Sequence, residues 1–223
     1  GLVLAWPTLA SSDIQPPQGR TPSVLLGPAP LPPQAHRIGH SIGDLALTAH
    51  DGEPHDLRDH AGSSGTVIVV RDPACPVSRR YTTRIAAIAR QYSDKFGFVF
   101  IYPAVDADPA ARAADRIALG IDGLFVGRGS FTLADRLGVT STGDSFVLDA
   151  TGSLQYRGAI DDQYGIGYTR DAPTANLLRN AIDAVHAGHS PRVPATSAPG
   201  CHIDADPNRE PPPIPLPGGH LLS

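Results

Sequence analysis

The residues that invite chemistry sit in one short stretch, Arg71-Asp72-Pro73-Ala74-Cys75-Pro76-Val77-Ser78. It joins a β-branched run, Thr66-Val67-Ile68-Val69-Val70, to a segment with helical spacing. Cys75 therefore falls at a helix N-terminus, with Pro76 at the first helical position, where a missing N–H costs nothing. Unpaired amides and the positive end of the helix dipole face a side chain placed there. Arg79 and Arg80 follow within one turn. Each feature favours thiolate over thiol, and the thiolate is the nucleophile. Asp72 opposes them if its carboxylate faces the sulfur. The structural alternative is a small buried cysteine that caps a helix. The chain has a second cysteine, Cys201, after Pro199-Gly200. Two cysteines do not make a stapled scaffold. A bridge between them would close a loop of more than one hundred residues, worth roughly 4–5 kcal/mol on the chain-entropy argument.

The elements that must position these residues follow from periodicity. Leu45-Ala46-Leu47-Thr48 before Asp51-Gly52 predicts a strand entering a turn. The Thr66–Val70 and Phe98–Tyr102 runs predict strands buried on both faces. Residues 76–92 predict one helix, with Ile85, Ile88, Ala89 and Tyr92 on a single stripe. Further helices are predicted over 109–119, 131–137 and 174–187, the last two stopped by Gly138 and Gly188. Ser145–Asp149 and Leu154–Gly158 flank Ala150-Thr151-Gly152-Ser153 and predict a hairpin. The order β, β, α, β, α, α, β, β, α gives parallel pairs with crossover helices, closed by a hairpin and a helix. This is an α/β plan with a mixed central sheet flanked by helices, as in the thioredoxin-like fold.

The middle of the chain, from about Ile38 to Ile203, resembles the redoxin branch of the thioredoxin superfamily, the alkyl hydroperoxide reductase and thiol-specific antioxidant group. It is most similar to a secreted bacterial subgroup of redoxin-domain proteins. The motifs that carry the resemblance are Cys75-Pro76-Val77-Ser78 with Arg80-Tyr81, Phe146-Val147-Leu148-Asp149, the run from Tyr156 to Tyr164, and Ala195 to Cys201. It implies a thiol-based oxidoreductase with Cys75 as nucleophile, an external thiol reductant and no cofactor. Cys201 would then be a resolving thiol that attacks oxidised Cys75. A structural bridge and a free or partner-linked thiol remain open for it. The departures matter as much. Where peroxiredoxins place Thr and Arg around the peroxide, this chain has Asp72 and Gly143, which removes donors for a developing charge. Arg71, Arg128 or Arg157 would have to substitute, and Arg79 and Arg157 are the arginines assigned to the site. Ser78 stands where a Cys-x-x-Cys motif has its second cysteine, and Thr140-Ser141-Thr142-Gly143 lacks the proline of dithiol oxidoreductases.

Other constellations are weaker. The nine histidines include His36 with His40, His186 with His189, and His50, His55 and His60 around the first hairpin. Copper-delivery proteins of this fold use Cys-x-x-x-Cys, and Arg79 occupies the second position here. A copper-binding accessory domain is the third reading of the chain, and no metal site is assigned. Asp161-Asp162 reads as a turn cap or an arginine partner. Gly165-Ile166-Gly167 and Gly127-Arg128-Gly129 lack the context of a nucleotide loop.

Composition divides the chain into three parts. The 23 prolines cluster at the ends, giving a Pro-rich segment over residues 1–35, a thioredoxin-like domain over 36–205 and a Pro-rich tail over 206–223. Such ends favour extended chain and make no core. In a second, non-catalytic reading they dock a rigid accessory subunit onto a larger envelope complex. A net charge of −4 offers no basic field for nucleic acid, and no apolar run is long enough to span a bilayer. The apolar opening Gly1–Trp6 followed by Thr8-Leu9-Ala10 resembles the end of a signal peptide, so an exported, periplasmic or envelope location is expected.

Overall fold

The computed structural model describes residues 27–103, 108–127, 131–165 and 167–203. The signal-like opening, most of the first Pro-rich segment, Arg128 and the C-terminal tail lie outside these residues. A small antiparallel hairpin, β1 (Ala46–Thr48) and β2 (Pro54–Asp56), precedes the main sheet. The sheet consists of β3 (Gly65–Val70), β4 (Phe96–Ile101), β5 (Leu124–Val126), β6 (Ser145–Asp149) and β7 (Leu154–Gly158). Its order is β5-β4-β3-β6-β7. β3, β4 and β5 run parallel, while β6 and β7 are antiparallel to their neighbours. The helices are α1 (Pro76–Arg80), α2 (Thr82–Tyr92), α3 (Pro109–Leu119), α4 (Phe131–Leu137) and α5 (Leu177–His186). A two-stranded ribbon, β8 (Tyr164–Gly165) and β9 (Tyr168–Thr169), lies between β7 and α5.

Alternation along the strands builds two apolar layers. Val67, Val69, Phe98 and Phe100 pack with Ile85 and Ile88 of α2 and with Leu178 and Ile182 of α5. Ile68, Val70, Val99 and Ile101 face the other way, onto Leu47 of β1 and Leu133 and Leu137 of α4. β3 is buried along its whole length, as its unbroken β-branched run requires. A central parallel pair extended by an antiparallel hairpin, with helices on both faces, is the thioredoxin-like arrangement. It places Cys75 at the C-terminal end of the central strand.

Three local departures from the periodicity have physical causes. The helix expected over 76–92 breaks at Tyr81, which ends α1 and precedes α2. The buried guanidinium of Arg71 donates to the Ser78 carbonyl and to Thr82 Oγ1, and so takes the acceptor that a continuous helix would use. The last helix begins at Leu177, because the Thr174 and Ala175 amides donate to the Asp162 carboxylate at 2.7 and 2.8 Å and hold a turn there. β2 and β5 are three-residue strands, too short to register as runs.

The chain beyond α5 forms a strap over residues 194–203. It runs along the free edge of β7, accepting from Arg157 N–H at Pro194 O and donating from Thr196 N–H to Arg157 O, both at 3.0 Å. Its other side pairs with the start of the described chain, through Leu31 N–H to Ala195 O and Ser197 N–H to Ala29 O, both at 2.9 Å. Ala29 and Leu31, within the segment assigned as Pro-rich, are thus paired to the strap. Pro30 sits on this edge opposite Thr196, where a residue without an N–H is tolerated.

Candidate redox site

Cys75 has extended backbone angles and is the N-cap of α1, with Pro76 opening the helix. The strap carries Cys201 back over this point. Thr142, in the loop before β6, ties the two together. Its hydroxyl donates to Cys75 Sγ at 3.0 Å and accepts from Cys201 N–H at 2.9 Å. Its own N–H donates to Cys201 O at 3.0 Å, and Ile203 N–H donates to Thr140 O at 3.1 Å. The strap is therefore fixed on both sides of Cys201. Held this way, the two thiols influence each other's acidity. Both cysteines are free thiols, bridged by the Thr142 hydroxyl.

The two sulfurs differ in exposure and acidity. Cys75 is 1% exposed, whereas Cys201 is exposed. Burial pushes the Cys75 thiol up. Hydrogen bonds from the Cys201 thiol, the Thr142 hydroxyl and the Ser78 and Cys201 amides outweigh it and hold Cys75 below the ordinary thiol value. The Ser78 amide contributes to this although the Cys75 side chain makes no cap hydrogen bond to α1. Cys201 moves the opposite way. Its hydrogen bond to Cys75, then burial, then the negative charges of Cys75 and Asp72 push it up to about 11.

The arginines assigned to the site lie elsewhere. Arg79 is exposed on α1 and lines a cleft with Ala111, Ala114 and Ala118 of α3. Arg157 is 5% exposed and is engaged in the loop after α4. It donates to Gly138 O at 3.0 Å and to Leu137 O at 3.5 Å, meets His36 at 3.3 Å, and lies 3.9 Å from the Asp144 carboxylate. The dominant influences on Cys75 are sulfur, hydroxyl and amide groups, and no guanidinium is among them. Arg71 is as near to Cys75 in sequence as Arg79. It is fully buried and bonded bidentately to Asp115 of α3, at 3.1 Å through Nε, with Tyr102 donating to the same carboxylate at 2.9 Å.

Each motif departure has a local structural role. The Asp72 side chain accepts from Ala74 N–H at 2.8 Å and shapes the loop, while its charge acts on Cys201. Gly143 has the Pro199 carbonyl of the strap against its Cα, so that a Cβ would lie 1.9 Å from that oxygen. An arginine at 143 is incompatible with the strap in this position. Ser78 is buried and accepts from Asp72 N–H at 3.1 Å. Thr142 escaped the sequence reading. Its only signal is its place in the loop before β6, which this fold brings against the head of α1.

The remaining constellations are structural or scattered. Asp161 is buried and accepts from Tyr81 Oη at 2.8 Å and from Arg84; Asp162 caps the turn before α5. His55 and His60 meet at 3.1 Å, and His186 meets Ser64 at 2.9 Å. Among the described residues no group of three or more His, Cys, Asp or Glu side chains is arranged to hold a metal ion. No helix among them is long and apolar enough to cross a membrane. A cavity of about 510 Å³ lies beside the strap, between Arg37, Asp144 and Arg157. Gly200 and His202 line it, but Cys201 between them does not, because alternate residues of an extended segment face opposite ways.

Comparison with known proteins places the fold. No protein-family profile and no curated protein matches the chain. An uncharacterised conserved protein from Geobacillus kaustophilus is similar with a TM-score of 0.67 and 22% identity, over 83% of this chain and 98% of its own. A hypothetical protein from Sinorhizobium meliloti gives 0.65 and 22%, over 79% and 96%. A secreted disulfide oxidoreductase from Mycobacterium tuberculosis covers 65% of this chain and 95% of its own at 17% identity. Its TM-score of 0.46 is too low to carry an argument. The chain has a thioredoxin-like fold.

Proposed function

We propose that this protein is an exported thiol–disulfide oxidoreductase of the redoxin type, whose redox pair is Cys75 and Cys201. The observation that carries the reading is the Thr142 hydroxyl, which meets the Cys75 sulfur at 3.0 Å and the Cys201 amide at 2.9 Å and so brings together two thiols 126 positions apart. Loss of two protons and two electrons from that pair, to a disulfide substrate or reagent, yields a Cys75–Cys201 bridge. The lowered Cys75 value favours the reduced state of that sulfur. Export is supported by the signal-like opening residues and by the resemblance to secreted redoxin-domain proteins.

The peroxidase variant of the resemblance has less support. Cys75 is sealed from solvent, and the positions that would orient a peroxide hold Asp72 and Gly143. The test is equilibration of the full chain in glutathione buffers, followed by alkylation and mass analysis. An intramolecular Cys75–Cys201 disulfide should replace two alkylated thiols as the buffer is made oxidising. Two alkylated cysteines at every ratio would defeat the reading. Hydroperoxide consumption should be no faster than that of free cysteine.

A further inference from the structure

We propose that thiol exchange passes through the sulfur of Cys201 alone, that Cys75 acts only as internal leaving group and reclosing nucleophile, and that the substrate is therefore a dithiol. This rests on the redox-pair reading and assigns the direction of attack within it. A thiolate attacks a disulfide sulfur from the side opposite the leaving sulfur. With Cys75 beneath and Cys201 exposed, an incoming thiolate in line with the bond reaches Cys201 from solvent. The line of attack on Cys75 would start inside the protein, through the residues that bury it. Accessibility and acidity are split here between two residues: the reachable sulfur is the weak acid, and the stabilised thiolate is covered.

The atoms balance as follows. A substrate thiolate bonds to Cys201 Sγ, the Cys75–Cys201 bond breaks, and its electron pair leaves on Cys75. The Thr142 hydroxyl, 3.0 Å from that sulfur, stabilises the departing thiolate. A lower leaving-group pKa speeds this step, and although Cys201 has no S–H in the mixed disulfide, the Thr142 hydroxyl and the Ser78 and Cys201 amides still favour the Cys75 thiolate. In the mixed disulfide, the backbone bonds at Thr140 and Thr142 keep Cys201 above Cys75. Cys75 thiolate then recloses on Cys201 and expels the substrate. Only a second thiol carried by the same substrate competes with that step. It attacks the substrate sulfur of the mixed disulfide, forms the substrate disulfide and leaves Cys201 as a thiolate that takes up a proton. The net change is one protein disulfide reduced and one substrate dithiol oxidised.

The test uses the full chain oxidised to the bridge, mixed briefly with limiting reduced glutathione, quenched in acid and mapped by peptide. The glutathione adduct should sit on Cys201. It should stay at least tenfold below the level reached by Cys75→Ser treated with glutathione disulfide, because only the wild type recloses. In Ellman's reagent, Cys75→Ser should react at least tenfold faster than Cys201→Ser under native conditions, and the two should react alike in guanidinium. The wild-type mapping stands if either variant fails to fold. Glutathione mapped to Cys75 overturns the direction of attack, and an abundant, persistent wild-type adduct overturns the dithiol requirement. A wild type that never forms the bridge fails the underlying redox reading instead.

Discussion

The two sides of α1 use opposite means of holding polar groups out of water. Beneath it, Arg71 and Asp115 form a buried ion pair supported by Tyr102, Thr82 and the Ser78 carbonyl. Above it, two thiols meet under a strap, with one threonine hydroxyl between the Cys75 sulfur and the Cys201 amide. The lower cluster is charged, closed and permanent. Its hydrogen bonds leave little freedom to the helix that carries Cys75. The upper cluster is built from weak sulfur bonds around a sulfur–sulfur contact that a covalent bond can replace. Chemistry stays on the side where the interactions are individually weak, and rigidity is supplied from the other.

That contrast sets the order of expected effects. The largest belongs to the ion pair. Arg71→Ala leaves Asp115 buried without its partner and should destabilise the protein by about 3–5 kcal/mol, lowering the melting temperature by roughly 6–20 °C. Calorimetry on reduced protein measures it. A paired replacement, Arg71→Met with Asp115→Leu, should recover much of the loss, since a well-packed apolar pair often matches a buried ion pair. A small effect of the single variant would mean that the lower cluster is no anchor.

Next comes the strap. Gly143→Ala puts a methyl group 1.9 Å from Pro199 O and should cost about 1–3 kcal/mol. Its specific sign is redox. With the strap displaced, the Cys75–Cys201 bridge should form less readily in glutathione buffers, and Cys201 should alkylate faster. Unchanged disulfide formation would show that the strap does not depend on this close approach.

The third effect falls on acidity more than on the fold. Thr142→Val removes a hydrogen bond to the Cys75 thiolate, worth about 1.5–3 kcal/mol, and should raise the Cys75 pKa by about 1–2 units. In the reduced wild type the two thiols act in opposite directions on stability. The lowered Cys75 value adds stability as pH rises from its folded pKa toward the ordinary thiol range near ~8.5, and that stability is lost as pH falls through the folded pKa. The raised Cys201 value takes stability away as pH rises from that range toward about 11. Denaturation midpoints of the reduced protein should therefore peak near the ordinary thiol range. Thr142→Val should flatten the acidic limb in the reduced protein only, while the lost acceptor for Cys201 N–H lowers reduced and oxidised stability alike. A reduced protein with no such maximum would remove the assignment of opposite shifts.

Much of the architecture was legible in one dimension, because the signals are local. An unbroken β-branched run such as Thr66–Val70 has one economical fate, a strand buried on both faces. Pro76 after Cys75 marks a helix start for the same steric reason in any fold. β5 was not legible, because three residues carry no period. The break at Tyr81 was not, because it comes from Arg71 reaching Ser78 and Thr82 from a neighbouring segment. Gly143 read as a missing arginine in the sequence; in space it is the gap that admits Pro199.

The sequence by itself determined where Cys75 would lie, since strand, turn and helix start are set by residues within a few positions of it. Only the tertiary structure decided what that cysteine meets. The return of the strap along β7 brings Cys201 and Thr142 to one point, seals the sulfur that the local pattern presents, and sends Arg79 and Arg157 to other duties. Partners that distant in sequence leave no mark on local pattern, because their contact energy exists only once the whole sheet has closed.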